Sequence, residues 1–520
     1  IIICSFKTSI RYLCHQYGKI QRIMNPLKKL AGDTIIYGFT TILGRFVNWL
    51  LVPLYAGIFP ASEYGIVTNL MSYIALLMVI LTYGTETGFF RFSTKDNSNK
   101  VFSTLMFSLT GTTLLFFIVA FSFLPGIADF LEIPDHKNYL TLLILTIGID
   151  AISSIPFALL RLQGRPIRFG VVKLVNVGVN IVLNLFFLVV CPYLEKNGIH
   201  IPFYDPAGGI IYIFIAYLIA SVVTFLMLVP YMSKFRFYFS WGLLKDIMKY
   251  SFPIFIVSLA GMINLQGAQS WMPKVLGQVM SSQEAMAMTG IYGANYKLAL
   301  IMYIFTQGFK YAFEPFFFSY SKHEDSKKVY QDVFLYFTGF GLIIFLGIMY
   351  WIDIIKYFVR TPEYYSGIII VPWVLMANLF QGMYYSLSLW YKLTDKTMYG
   401  AYMSVIGCII TVSMNFILLP RIGYMGSAYA VFCCFLVMCI LSLIWGKKFY
   451  KISYDLKKIA FYYSVALVFY FIGKYIRFEN AWLTCIARMP LLFIFILLFL
   501  YREMKFIFSK DFIYKMFRKK

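Results

Sequence analysis

Apolar runs of about twenty residues recur from one end of this 520-residue chain to the other. A helix needs about that length to cross the hydrocarbon core of a bilayer. The candidate spans are 33–58, 64–90, 101–124, 138–160, 169–193 and 208–232, then 249–273, 289–313, 331–355, 366–391, 398–420 and 425–446, with 458–477 and 483–502 completing about fourteen. Arg488 and Pro490 interrupt the last of them. Only 13% of residues are charged and 60% are hydrophobic, with a mean hydropathy of +0.74. A soluble domain carries nearer a quarter charged residues. The expected fold is therefore an all-α polytopic membrane protein.

The net charge of +23 would suggest a nucleic-acid partner in a soluble protein. Here the alternation of basic loops explains it, because Lys and Arg are retained on the cytoplasmic side of spanning helices. One set of connections, with the C-terminal tail, holds thirty Lys and Arg, while the opposite set holds eight: Lys137, Lys196, Lys274, Lys356, Arg360, Arg421, Lys474 and Arg477. This asymmetry puts both termini in the cytoplasm and supports an even number of spans. No nucleic acid is expected as a partner. Ile1 to Ile23 precede the first methionine, Met24, and are read as a tail or an upstream artefact. The cysteines lie mostly in apolar runs without a CxxC spacing, so neither a disulfide framework nor a zinc site is expected.

An internal echo fixes the architecture further. Tyr83-Gly-Thr-Glu-Thr-Gly-Phe-Phe-Arg-Phe92 aligns without gaps with Tyr311-Ala-Phe-Glu-Pro-Phe-Phe-Phe-Ser-Tyr320, at an offset of 228 residues. Glu86 falls on Glu314, Phe89-Phe90 on Phe317-Phe318, and further back Tyr64-Gly65 falls on Tyr292-Gly293. Span two then matches span eight. An offset of six helices preserves membrane orientation, so the halves are expected as parallel repeats about an axis along the membrane normal. The domains are 24–232 with helices one to six, 233–446 with helices seven to twelve, and 447–520 with helices thirteen and fourteen and a basic tail.

Ionisable groups inside spans are costly and are functional candidates. Arg45 lies near the middle of span one, with Asn48 a turn later; Lys297 and Lys310 lie in span eight, and Asp150 in span four. Glu86 and Arg91 end span two, and Glu314 follows span eight. Gln269 is a polar member of span seven. Bases outnumber acids, which suits an anionic, phosphate-bearing lipid substrate. Arg45, Arg91, Lys297, Lys310, Asn48 and Gln269 are the candidate cavity and phosphate contacts; Glu86, Glu314 and Asp150 are candidates for gating or coupling. For Glu86, Arg91, Lys310 and Glu314, snorkelling at the interface is the competing explanation. No Walker loop and no GxSxG occur, and the four histidines lie in loops or the tail, so no enzymatic site and no metal are expected.

The runs Gly44-Arg-Phe-Val-Asn-Trp-Leu-Leu-Val-Pro-Leu-Tyr55, Pro60-Ala-Ser-Glu-Tyr-Gly65, Glu86–Phe92, Gly290–Leu298 and Gln307–Phe318 resemble bacterial polysaccharide repeat-unit (O-antigen-type) flippases. These belong to the multidrug/oligosaccharidyl-lipid/polysaccharide exporter superfamily. The resemblance implies two six-helix lobes that alternate in access. It implies a lipid-linked oligosaccharide cargo on undecaprenyl pyrophosphate, carried across the bacterial inner membrane. It also implies a neighbouring polysaccharide polymerase machinery, a monomeric chain in contact with membrane lipids, and no cofactor beyond a coupling proton or sodium ion. One departure stands out: family members often carry an Asp-Arg pair in span seven, where this chain has Asn264-Leu-Gln-Gly-Ala-Gln-Ser-Trp271. A cation-coupled multidrug exporter of the same fold is the alternative, but its cargo calls for more intramembrane acid than base. A membrane enzyme that polymerises lipid-linked sugars calls for a large external loop, and the loops here are short.

Overall fold

The computed structural model describes residues 38, 40, 42–44, 46–93, 97–232, 238–321, 323–394 and 396–503, with only the backbone at 312, 315, 318 and 319. Among these residues the chain is helical throughout, with no strand. The helices are α1 (Val52–Ile58), α2 (Ala61–Thr82), α3 (Thr85–Phe92), α4 (Ser98–Ser122), α5 (Lys137–Leu162), α6 (Pro166–Leu185), α7 (Ile211–Met232) and α8 (Trp241–Leu276). The second half continues with α9 (Ser282–Leu298), α10 (Leu300–Tyr320), α11 (Ser326–Tyr350), α12 (Val371–Leu387), α13 (Met398–Ile422) and α14 (Met425–Phe449). The chain ends in α15 (Leu456–Tyr475) and α16 (Ala481–Glu503). Twelve helices among the described residues are long and apolar enough to cross a membrane. The protein is a multi-pass membrane protein. The first expected span begins outside the described residues. The eighth is the pair α9–α10, which is broken at Ala299.

Local chemistry sets the helix ends. Ser281 and Glu284 form a reciprocal capping box at the start of α9. Ser240 accepts from Leu243 N at the start of α8, and Asp455 accepts from Lys458 N at the start of α15. Pro166 opens α6, where its missing N–H costs nothing. The last helix runs unbroken through Arg488 and Pro490, contrary to the interruption expected there. Buried Arg488 is tolerated because its Nε and Nη1 are engaged by carbonyls and a carboxylate. Its guanidinium donates to Gly473 O (2.8 Å), Ile476 O (3.2 Å) and Tyr350 O (3.4 Å), and it pairs with Asp353 at 2.8 Å.

Large apolar side chains divide between two environments. Tyr292, Phe334, Phe345, Phe495 and Phe499 are fully buried between helices, while Leu114, Leu115, Ile118, Ile409 and Phe493 stay exposed on outward faces. In lipid no penalty attaches to the second group, so tight packing must come from small residues at helix crossings. The α2–α9 crossing does this. A Cβ on Gly65 would sit 1.8 Å from Met286 O, and one on Gly290 2.0 Å from Ala61 O. The two backbones touch, joining the first half to the second.

That crossing lies at the end of the bundle opposite to the basic loops, and further bonds join the halves around it. Both carboxylate oxygens of Glu363 accept from Ala61 N (3.2 and 3.1 Å), which caps the start of α2 from the other half. Tyr364 donates to Phe59 O (3.0 Å) and Thr361 to Ala56 O (2.7 Å). Glu132 accepts from Lys274 (2.9 Å) and from Ser282 (2.8 Å). Deeper in, Asn69 donates to Gln269 O (2.8 Å) and Ser270 O (2.7 Å). Toward the basic end, α3 packs on α8. There Gly84, at φ +72°, approaches Ser251 O. This position needs glycine for its left-handed backbone and for its clearance.

Candidate functional site

A cavity of about 320 Å³ opens inside the second half, between α8, α10, α12, α13 and α14. Two candidates from the sequence, Lys310 and Glu314, line it. Their spacing of four places both on one face of α10. Lys392 joins them from the short helix Leu389–Leu393 and forms an ion pair with Glu314. With that pair neutral, Lys310 leaves the wall net positive. Its ammonium lies 4.5 Å from the centre of the Tyr385 ring, a cation–π contact that holds a positive charge without neutralising it. Asn264, Gln381 and Tyr384 complete the polar lining. Asn264 is fixed, accepting from Thr411 at 3.2 Å and donating to Ser404 O at 3.4 Å. Gln381 is 1% exposed, and its Oε1 has no protein partner. A buried amide oxygen left unpaired costs about 1–3 kcal/mol, so it is available to a donor in the cavity.

The echo at Glu86 and Glu314 has a structural counterpart. Glu86 on α3 pairs with Arg161 at the end of α5, and Glu314 on α10 pairs with Lys392 after α12. In each half an acid from the second span meets a base from the end of the fourth. The two carboxylates pair within their own halves. Arg161 also lies over the Phe90 ring (5.2 Å) and the Phe169 ring (5.8 Å). Arg91 is exposed in the last turn of α3, where a cation suits the negative end of the helix dipole.

The remaining candidates lie elsewhere. Arg45 falls outside the described residues. Lys297 sits in the last turn of α9, just before the break at Ala299. A break frees carbonyls in mid-membrane, and donors from other helices meet them. Trp49 Nε1 donates to Lys297 O (2.8 Å) and Asn378 to Ala299 O (3.4 Å). Gln269 is buried where α8 crosses α2, away from the cavity. Asp150 on α5 faces Ser221 on α7 and Lys173 on α6. Lys173 lies seven residues inside α6, about 10 Å along its axis. Asn48 joins a ladder of amides on α6. Asn180 donates to Asn48 (3.3 Å), Asn184 to Asn180 (3.0 Å), and Tyr55 OH to Asn184 (2.9 Å). Beyond Leu185 the helix widens into a π-turn over Phe186–Val190, a distortion often found near functional positions.

A family profile described as Polysaccharide biosynthesis protein matches residues 30–319, more than half of the chain. The chain belongs to the polysaccharide biosynthesis protein family. No curated protein matches it by sequence. Among solved structures it is similar to one titled "Lipid II flippase MurJ, inward closed conformation", with 16% identity and a TM-score of 0.70 over 90% of this chain and 98% of that one. It is also similar to an inward-facing multidrug resistance MATE family transporter of the MOP superfamily, at 14% identity and a TM-score of 0.56 over 80% and 97% of the two chains. At such identities the likeness shows the fold alone, an all-helical membrane bundle of the kind these two transporters share.

Some site residues of this family member escaped the sequence reading. Lys392 is indistinguishable in sequence from any basic residue flanking a span. Gln381 and Asn378 are isolated amides in an apolar run, a signal that was present and went unused. The clearest signal of this kind is Asn176, Asn180 and Asn184, which recur every four residues and mark one polar face of α6; the last two form the ladder, and Asn176 donates to Ala220 O and Thr224 on α7. Nothing between Tyr296 and Met302 signals the break at Ala299.

Proposed function

We propose that this protein moves an anionic, lipid-linked oligosaccharide, an undecaprenyl-pyrophosphate-linked repeat unit, across the bacterial inner membrane for surface polysaccharide synthesis. The observation that carries the reading is the net-positive cavity of Lys310, Lys392 and Glu314 near the basic end of the bundle, in a chain of the polysaccharide biosynthesis family. With the basic end cytoplasmic, a pyrophosphate entering from that side meets the Glu314–Lys392 pair first, displaces Glu314 to gain one point charge, and finds Lys310 a turn deeper as a second. The sugar is left to the amides and phenols of Asn264, Gln381 and Tyr384. The cavity shares its face with α10, and α10 continues from α9, whose glycines seal the opposite end against α2. Alternating access requires those backbones to separate while the basic end closes. Asp150, facing Lys173 inside the first half, is the acid through which a proton or sodium ion would couple.

The test is the double variant K310Q/K392Q in cells that make the polysaccharide. Surface polysaccharide should disappear and lipid-linked repeat units accumulate, with the protein still in the membrane. Wild-type polysaccharide levels would overturn the reading. Efflux of cationic dyes by the wild-type protein, with polysaccharide unaffected by its deletion, would favour the drug-exporter alternative.

A further inference from the structure

A second cavity, of about 690 Å³, lies between α11, α12, α14, α15 and α16. It shares no lining residue with the cavity holding Lys310, and no residue of the first half contributes to it. Its walls are apolar and aromatic, with Phe345, Trp373, Phe380 and Phe432 among them. Ile369, Leu467 and Phe471 line it and remain 54%, 41% and 53% exposed, so it opens sideways to lipid. Its charges gather at one end: Asp353, Lys474, Arg477 and Arg488. Arg488 takes Asp353 at 2.8 Å. Among the described residues no carboxylate pairs with Lys474 or Arg477, and both are exposed beside the cavity.

The position of these two cations is unusual. They belong to the sparse set at the end opposite to the basic loops, where Lys and Arg are disfavoured by topology. Four of that set of eight, Lys356, Arg360, Lys474 and Arg477, come from the two segments Lys356–Arg360 and Lys474–Arg477 of the second half. An apolar slot open to lipid, with paired cations at its mouth, is the shape of an amphiphile with an anionic head. We propose that this cavity holds a resident anionic glycerophospholipid of the leaflet opposite to the cytoplasm, its acyl chain along the aromatic wall and its phosphate between Lys474 and Arg477. Because this cavity shares no wall residue with the one holding Lys310 and is closed by the last two helices, it fits a lipid that stays and holds α15 and α16 against α11. The proposal stands apart from the transport reading.

The experiment is native mass spectrometry of the full chain released in mild detergent from membranes containing phosphatidylglycerol and phosphatidylethanolamine. The wild type should retain phosphatidylglycerol in preference to phosphatidylethanolamine. K474Q/R477Q, at two exposed positions, should lower that retention at least about ten-fold. Leu467→Trp, which fills the apolar wall and leaves both cations, should lower it as well. K310Q/K392Q should retain the lipid fully, which separates this result from any outcome of the transport test. Equal retention in K474Q/R477Q, no preference for the anionic head, or a polyprenyl phosphate in its place would each overturn the proposal.

Discussion

Lys310 and Glu314 sit on one face of α10, and a third residue, Lys392, decides what they do together. Glu314 is about one-third exposed and so is Lys392, so the pair stabilises the fold by no more than about 1 kcal/mol. Glu314→Gln should therefore leave thermal stability in detergent nearly unchanged while making the cavity more cationic. Tighter binding of a soluble pyrophosphate analogue than in the wild type is the expected result. Arg488 is the opposite case. It is 4% exposed and holds three carbonyls and a carboxylate. Arg488→Met should cost about 3–5 kcal/mol, read as a lowered unfolding temperature with α16 more open to protease. Among residues proposed from sequence, R45A and K297A should each abolish surface polysaccharide with normal membrane levels. Unchanged polysaccharide in both would remove their assigned roles.

At the scale of the element, helix breaks carry information that the hydropathy pattern lacks. The repeat aligns Tyr83-Gly84 with Tyr311-Ala312, yet the two halves bend in different places. The first half breaks at Tyr83 (φ +32°) and Gly84 (φ +72°). The second runs straight through 311 and 312 and breaks instead at Ala299. Alanine at 312 lacks the left-handed freedom of Gly84, which explains the first difference. Gly84→Ala should cost about 1 kcal/mol for its backbone alone, with more from the approach to Ser251 O. The α2–α9 crossing allows a sharper test. Gly290→Leu cannot coexist with a backbone contact in which even a Cβ would lie 2.0 Å from Ala61 O. The expected outcome is a protein held open at that end, measured as increased labelling of a cysteine placed at Ala61.

At the scale of the molecule, the groups that latch the two halves include the Glu132 carboxylate. The Lys274 hydrogen bond, then that of Ser282, holds the Glu132 carboxyl below its ordinary value of about 4.3. A carboxylate depressed in the latched state supports that state above the value of the free group and ceases to do so as pH falls through the lowered one. The latch should therefore be intact at neutral pH and weaken below about pH 4. Spectroscopic distances across the α2–α9 end should lengthen with acid in the wild type. Glu132→Gln should start longer and lose that acid-dependent step.

Fourteen apolar runs, their alternating basic flanks and one internal echo were enough to predict a helical membrane protein of two parallel repeats, because lipid imposes length and charge rules that each segment obeys on its own. The echo also marked Glu86 and Glu314 as equivalent, and both were found in equivalent ion pairs. Their partners Arg161 and Lys392 could not be read, since pairing across helices depends on how the helices cross. The same holds for the α2–α9 backbone contact, the cap that Glu363 lends to Ala61, and the break at Ala299. Each of these is satisfied by groups roughly 80 to 300 positions away, as Asn378, Lys297 and Glu363 are from Ala299, Trp49 and Ala61. Local chemistry determined which segments cross the membrane; only their packing decided which charges face a cavity and which hold the bundle shut.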